Sequence, residues 1–451
     1  MSTETTSTTT AKKGGLSDIK KIFGGGQSNL RQFGILGSLI VIVLLFEWLT
    51  GGKTLEPANL INVVNQYSYI LILSIGMVMV IIAGHIDLSV GSVAAFTGIV
   101  VALAMQDWNL PWPLAVVLGL VVGALIGAWQ GFWVAYIGVP AFIVTLAGML
   151  IFRGGNQFIG NATTTPVPEA FTFIGAGYIP DFGPFAFSAG TMILGILGAL
   201  WIVYNEWNTR RVQRKMGSAV APLWVSVVKV VLLAGVLLWA AWLFANGRAG
   251  TSFPISGIIL VALVILYSFI TRSTIGGRHI YAVGGNKLAA ELSGVNSRRV
   301  NFFVMMNMSV LASLAGMIFV ARSTASGPQD GVGWELDAIA AVFIGGAAVS
   351  GGIGTVIGSI VGGLVMAFLN NGLQLLGVGS DLVQIIKGLV LLAAVGIDVW
   401  SKSQGRPSLI GNLFRGNKKE RASEVTEQPS VLPTPTAGTP ETAEPSDVVR
   451  S

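Results

Sequence analysis

The sequence predicts an all-α fold, a polytopic transmembrane helical bundle, and three observations predict it. The 451 residues are 53% hydrophobic and only 11% charged, against about 25% charged in soluble domains, so charge is too scarce to cover a water-exposed surface of this size. The apolar residues gather in runs of about 20, the length of helix that crosses a hydrocarbon core; the alternation of about ten residues that marks a membrane barrel is absent. Gly is abundant, with 59 residues, which suits helices packed in lipid, where small side chains let backbones approach.

Taken in order, the runs are 33–49, 61–83, 88–105, 113–136, 140–159, 187–204, 223–245, 254–271, 301–321, 336–349, 353–376 and 382–400. The run 336–349 is short for a span. The chain therefore divides into a polar, basic N-terminus (1–32), a membrane domain (33–400) and a tail (401–451). The N-terminus lacks a short apolar core followed by a cleavage site, so the first run reads as an uncleaved span. The tail is basic at first and then rich in Pro, Thr, Glu and Ser, a composition that cannot bury enough apolar surface to offset its ordering entropy.

The net charge of +6 has a pattern. Lys12, Lys13, Lys20, Lys21 and Arg31 precede the first span. Arg210, Arg211, Arg214 and Lys215 fall in loop 205–222, and Arg272, Arg278, Lys287, Arg298 and Arg299 in loop 272–300. Lys402, Arg406, Arg415, Lys418, Lys419 and Arg421 open the tail. The intervening loops are poor in Lys and Arg, and 160–186 has none. Lys and Arg concentrate in cytoplasmic loops, which places both termini in the cytoplasm and accounts for the charge without nucleic acid.

Gly119, Gly123, Gly127 and Gly131 recur every fourth residue in one span, and Gly354, Gly358 and Gly362 do so in a later span of opposite direction. Asp87 and Asp337 likewise open helices from opposite sides. Inverted repeats would give this pattern; so would two unrelated glycine-rich packing faces.

Few residues offer chemistry. There are no cysteines and two histidines, His85 and His279, which argues against a thiolate or histidine metal centre, and no metal site is expected. Gly52-Lys53-Thr54 resembles the end of a phosphate loop, but Glu47 stands where its first Gly belongs. Gly352-x-Gly354 opens a span rather than following a soluble strand. No catalytic constellation and no ATPase module emerge. Asp87, with Ser89, is placed to cap the helix that begins there, with a gating role as the alternative. Arg153 and Lys387 lie inside spans, where ionisable residues are functional candidates, although long basic side chains also snorkel to the interface. Asn370 and Asn371, near Gln374, would suit an uncharged polyol in transit or bonding between helices. In loop 272–300 the second half reads as a short helix, with an Asn start, two alanines and a Gly stop. Such a helix can enter a groove on a partner or lie on the membrane surface.

That loop, Gly276-Gly277-Arg278-His279-Ile280-Tyr281-Ala282-Val283-Gly284-Gly285-Asn286 and onward to Val295, resembles the permease subunits of ribose- and xylose-type sugar ABC importers. Gly84-His85-Ile86-Asp87-Leu88-Ser89-Val90-Gly91-Ser92 is similar to another of that family's segments, with His85 where a small or acidic residue is usual. The runs 139–149 and 335–346 and Ile386-Lys387-Gly388 add to the match, which spans about 38–399, order preserved. The resemblance implies a permease that pairs with a second copy, two ATPase subunits and an extracytoplasmic sugar-binding protein. ATP–Mg would be held by the ATPase, and no cofactor by this chain. It implies alternating access in the cell membrane, a coupling helix built on Gly284, Gly285, Asn286, Ala289, Ala290, Ser293 and Gly294, and a ten-helix core in which 187–245 is a two-helix insertion. The long middle favours the xylose branch, hence a monosaccharide such as a pentose. A branched-chain amino acid permease and a self-sufficient secondary transporter remain the alternatives.

Overall fold

The computed structural model describes residues 27–182, 185, 187–217, 222–248 and 250–403; most of the polar N-terminus and nearly all of the tail lie outside these. Helices α1 (Gln27–Leu49), α2 (Pro57–Ile82), α3 (Val90–Asp107), α4 (Trp112–Phe132) and α5 (Ala141–Ile159) come first. A short α6 (Glu169–Ala176) and the pair α7 (Ala189–Lys215) and α8 (Leu223–Ala245) follow. The second half runs α9 (Ile255–Ser273), α10 (Ile275–Gly285), α11 (Lys287–Leu292), α12 (Ser297–Ser323), α13 (Trp334–Ile344), α14 (Val356–Leu375) and α15 (Ser380–Ser403). Among the described residues nine helices are long and apolar enough to cross a membrane, and Gly34–Leu49 is a shorter apolar one.

Prolines mark many of the starts. Pro57 lies in the first turn of α2, while Pro111, Pro140, Pro222 and Pro254 occupy the N-cap positions of α4, α5, α8 and α9. There the missing N–H costs no intrahelical bond. A π-turn, Trp133–Ile137, extends α4 and stops at Gly138, whose φ is +87°.

Three sequence expectations are corrected. Run 336–349 is not a full span: α13 has 11 residues and ends at a glycine turn, Gly345–Gly346. The basic residues assigned to loop 205–222 lie on the last turns of α7, which continues to Lys215. Loop 272–300 holds two helices, because α10 precedes the short one.

Two sets of four helices, α2–α5 and α12–α15, interlock. Helix α12 packs on α3 and α4, as α2 packs on α13 and α14. Six spanning helices separate α2 from α12, so the two run in opposite directions, as inverted repeats require. The glycine ridges contribute differently. Along α4 a Cβ on Gly119, Gly123 or Gly131 would strike Met317, Ser313 or Phe302 in turn, and one on Gly127 would strike Met306, so α4 and α12 are antiparallel and close-packed. Gly358 and Gly362 instead press on Gly345 and Ala341, around the end of α13. The ridges are thus separate packing faces laid on helices in corresponding places. The buried core is concentrated on α2, α3, α12 and α13, with Tyr69, Phe319 and Trp334 joined by ring contacts of 4.5–5.1 Å. By contrast, α7 and α8 pack mainly on each other and expose most of their apolar surface.

The two halves are also strapped together at the end remote from α11. A two-residue antiparallel ladder pairs Thr165 with Ser326 and Pro166 with Ala325, and Val167 N–H donates to the Thr324 carbonyl at 3.0 Å.

Candidate functional site

Helices α10 and α11 form the end of the bundle that carries Arg272, Arg278, Lys287, Arg298 and Arg299. Asn286 starts α11 as its N-cap, its Oδ1 accepting the Ala289 N–H at 2.9 Å. Ser293 Oγ donates back to the Ala289 carbonyl at 2.8 Å, and Gly294, at φ +87°, ends the helix. The outer face presents Leu288 and Leu292, 68% and 82% exposed and four residues apart, with Ala289 beside them. Ala290 is buried, so the small-residue face expected from the sequence divides: one alanine looks outward and the other packs inward.

Gly284 and Gly285 differ as sharply. A Cβ on Gly285 would meet open space, whereas one on Gly284 would lie 1.6 Å from the Ile82 carbonyl oxygen. That carbonyl, at the end of α2, also accepts the Gly352 N–H at 2.8 Å, and Tyr281 Oη donates to the Gly354 carbonyl at 2.7 Å. The basic end is thereby bonded to segment 345–355, which joins α13 to α14. His85 lies nearby. Burial lowers its imidazole below the ordinary histidine range, the Asn301 side chain opposing and Lys287 adding to the effect.

Asp87 is fully buried. Its Oδ1 accepts the Ser89 N–H at 2.8 Å and the Ser89 hydroxyl at 2.6 Å. Ser89 in turn accepts from Gln130 Nε2 at 2.9 Å, and Asp87 Oδ2 has no hydrogen-bond partner. The expected cap is therefore modified. Asp87 satisfies the N–H of the N-cap residue itself, and the Ser89 side chain makes no capping bond to the first turn of α3, whose Val93 N–H is taken by the Ser89 carbonyl at 2.8 Å. Gly91, just inside α3, backs onto the Gly331 carbonyl ahead of α13. Two helices that start from opposite ends of the bundle thus meet in its interior.

Both acidic residues of α13 are paired, and their partners are Arg153 and Lys387, for which the sequence left a pathway role and snorkelling both open. Lys387 of α15 meets Asp337 at 2.6 Å, and Arg153 of α5 approaches Glu335 at 3.7 Å. Both cations are less than one-third exposed, so they are interhelical ties rather than interface anchors. Asn371 is tied too: it and Asn59 exchange two amide hydrogen bonds, at 2.8 and 2.9 Å. Asn370 is equally buried, and its Oδ1 has no partner. Replacing Asn371 with Leu should lower the thermal midpoint of detergent-solubilised protein by several degrees. Adding Asn59→Leu should cost less than the sum of the single changes, because the pair acts as a unit.

Sequence reasoning did not single out Gln130, Asn59 or Tyr281. The signal for the first two was a polar residue within or beside an apolar run; for Tyr281, inside a basic loop, there was none.

A protein-family model described as "Branched-chain amino acid transport system / permease component" matches residues 59–395 of the chain. The chain belongs to this permease family. Full-length relatives agree. The xylose transport system permease protein of Haemophilus influenzae is 39% identical over 377 residues, covering 83% of this chain and 98% of the relative. Its Escherichia coli counterpart is 39% identical over 390 residues, covering 86% and 95%. The ribose import permease protein of E. coli is 35% identical over 366 residues, covering 80% and 92%. No solved structure gives a significant match. The permease is therefore a multi-pass membrane protein. The matched region contains every candidate residue named above, from Asp87 to Lys387.

Proposed function

We propose that this permease is the membrane-spanning subunit of an ABC importer that carries a monosaccharide, most closely a pentose such as xylose, into the cell. The observation that carries the reading is the 39% identity extending over nearly the full length of the xylose permeases. The chain does no chemistry itself. A separate ATPase holds ATP–Mg at the basic end, an extracytoplasmic binding protein delivers sugar at the other, and a second copy of the permease completes the pathway. Both termini lie in the cytoplasm and the protein sits in the cell membrane, in keeping with the basic loops. Energy enters because the partners bind the inward- and outward-facing states unequally. An amino acid cargo rests on the family description alone, while the full-length relatives carry sugar names. Its zwitterion would also need opposite charges of its own, and Arg153, Lys387, Glu335 and Asp337 are engaged with one another.

The test is uptake in proteoliposomes holding the permease, its ATPase and its binding protein. Labelled xylose should accumulate with ATP; leucine uptake without sugar uptake would overturn the assignment. In the same vesicles Gly294→Pro and Ala289→Trp should reduce xylose uptake at least tenfold while membrane insertion is retained. Proline fixes φ near −65°, so it cannot adopt the +87° of Gly294, and it loses the N–H that bonds the Glu291 carbonyl. The Trp would fill the exposed face of α11. Unchanged uptake in both variants would remove α11 as the docking element.

A further inference from the structure

We infer that Tyr281 and the contact of Gly284 with Ile82 and Gly352 are the positioning elements through which movement at the ATPase-facing end reaches the interior helix α13. The inference rests on the docking of an ATPase at α11 proposed above.

The physical case is a chain of short, stiff contacts. Helix α10 ends at Gly285, one residue before the cap of α11, so displacement of α11 displaces α10. The last turn of α10 cannot slide independently of α2, because the Gly284 backbone lies against the Ile82 carbonyl with no room for a Cβ. The same carbonyl receives the Gly352 N–H, and Tyr281, one turn earlier on α10, bonds the Gly354 carbonyl. Segment 345–355 is therefore grasped at two points by α10 and α2.

That segment is also built to transmit rather than absorb motion. It closes on itself through Gly351 N–H to the Ala348 carbonyl and Ala348 N–H to the Ile353 carbonyl, both 3.0 Å, and Ala347 and Ala348 are buried. At its other side Gly345 ends α13, whose final turn is clamped against Gly358 and Gly362 of α14. Packed interiors pass displacement on because they deform little. The far end of α13 carries Glu335 and Asp337, the residues ion-paired to α5 and α15. A push at α11 thus arrives where α13 is held to both halves. Gly284, Gly352 and Tyr281 touch neither sugar nor nucleotide in this scheme; they act on alignment.

The test uses the whole transporter in proteoliposomes and reads ATP hydrolysed per xylose imported. Tyr281→Phe keeps the ring and removes one hydrogen bond, so it should lower xylose uptake about fivefold. ATPase copurification and hydrolysis rate should stay at wild-type levels, so that ATP spent per sugar rises by the same factor. An unchanged ratio would overturn the inference. So would a parallel fall in uptake and hydrolysis, which would place Tyr281 in ATPase docking or folding. A second measurement exploits a chain with no cysteine: a nitroxide at Val349→Cys, an exposed position in the segment, should change mobility when ATP binds. Adding Tyr281→Phe should abolish that change, and its persistence would also overturn the inference. If the wild-type permease neither binds the ATPase nor imports xylose, the underlying functional reading has failed instead.

Discussion

Replacing Lys387 with Met is expected to be among the most damaging single changes in the permease. It leaves Asp337 as an unpaired carboxylate between α13 and α15, where the Lys387 ammonium now sits at 2.6 Å. Removing one partner of a buried ion pair costs about 3–5 kcal/mol, most of it the cost of the stranded charge. The lower end applies here, because both side chains keep some exposure, 23% for Lys387 and 16% for Asp337. The measurable result is a thermal midpoint in detergent lowered by several degrees and a matching loss of uptake. The double variant Lys387→Met with Asp337→Asn should recover most of the stability, since no charge is then left unpaired. Failure of that rescue would mean that the lysine contributes by packing rather than by charge. Arg153→Met should be milder, because its contact with Glu335 is longer, at 3.7 Å.

Gly316→Val should be comparably damaging, for a steric reason. A Cβ at Gly316 of α12 would fall 2.0 Å from the backbone oxygen of Ala94 on α3 and 2.9 Å from the Ala94 Cα. No rotamer change relieves a clash with backbone, so α3 and α12 must separate. Both helices belong to the buried centre that joins the two halves. Overpacking of this kind costs about 1–3 kcal/mol or more, and the loss of neighbouring contacts adds to it. The expected outcome is little or no monodisperse protein after extraction. Gly235→Ala on α8, where a Cβ meets nothing within 4 Å, should behave as wild type. Equal yields from the Gly316 and Gly235 variants would refute the close packing.

The spans were legible in the sequence because length and hydropathy are local properties, and each apolar run corresponds to a helix. The exception, run 336–349, is informative. Its residues are as apolar as a span, but Gly345 and Gly346 end the helix at a turn packed against α14, which follows it, and bonded through its segment to α10, about 60 residues earlier in the chain. Basic end residues extended α7 past its apolar stretch, since helix formation continues where side chains reach water. Site residues were legible as types but not as pairs. Nothing local connects Lys387 to Asp337 or Asn59 to Asn371, which are separated by 50 and 312 positions. For Arg153 and Lys387 a single sequence offers a pathway role or snorkelling but not their ion pairs, because ion pairing needs the partner's position in space.

The small ladder that ties residues 165–166 to 325–326 has a mechanical consequence. It adds a tie between the two interlocked halves at one end of the long axis, while α10 and α11 stand at the other. For any tilt of one half about that tie, displacement grows with distance from it. Along a helix the length of α12, 27 residues, or about 40 Å, a tilt of about 5° at the strap becomes about 3.5 Å at the far tip. With an ATPase docked at α11 as proposed, a small tilt at the strap becomes a stroke of several ångströms at the docking end.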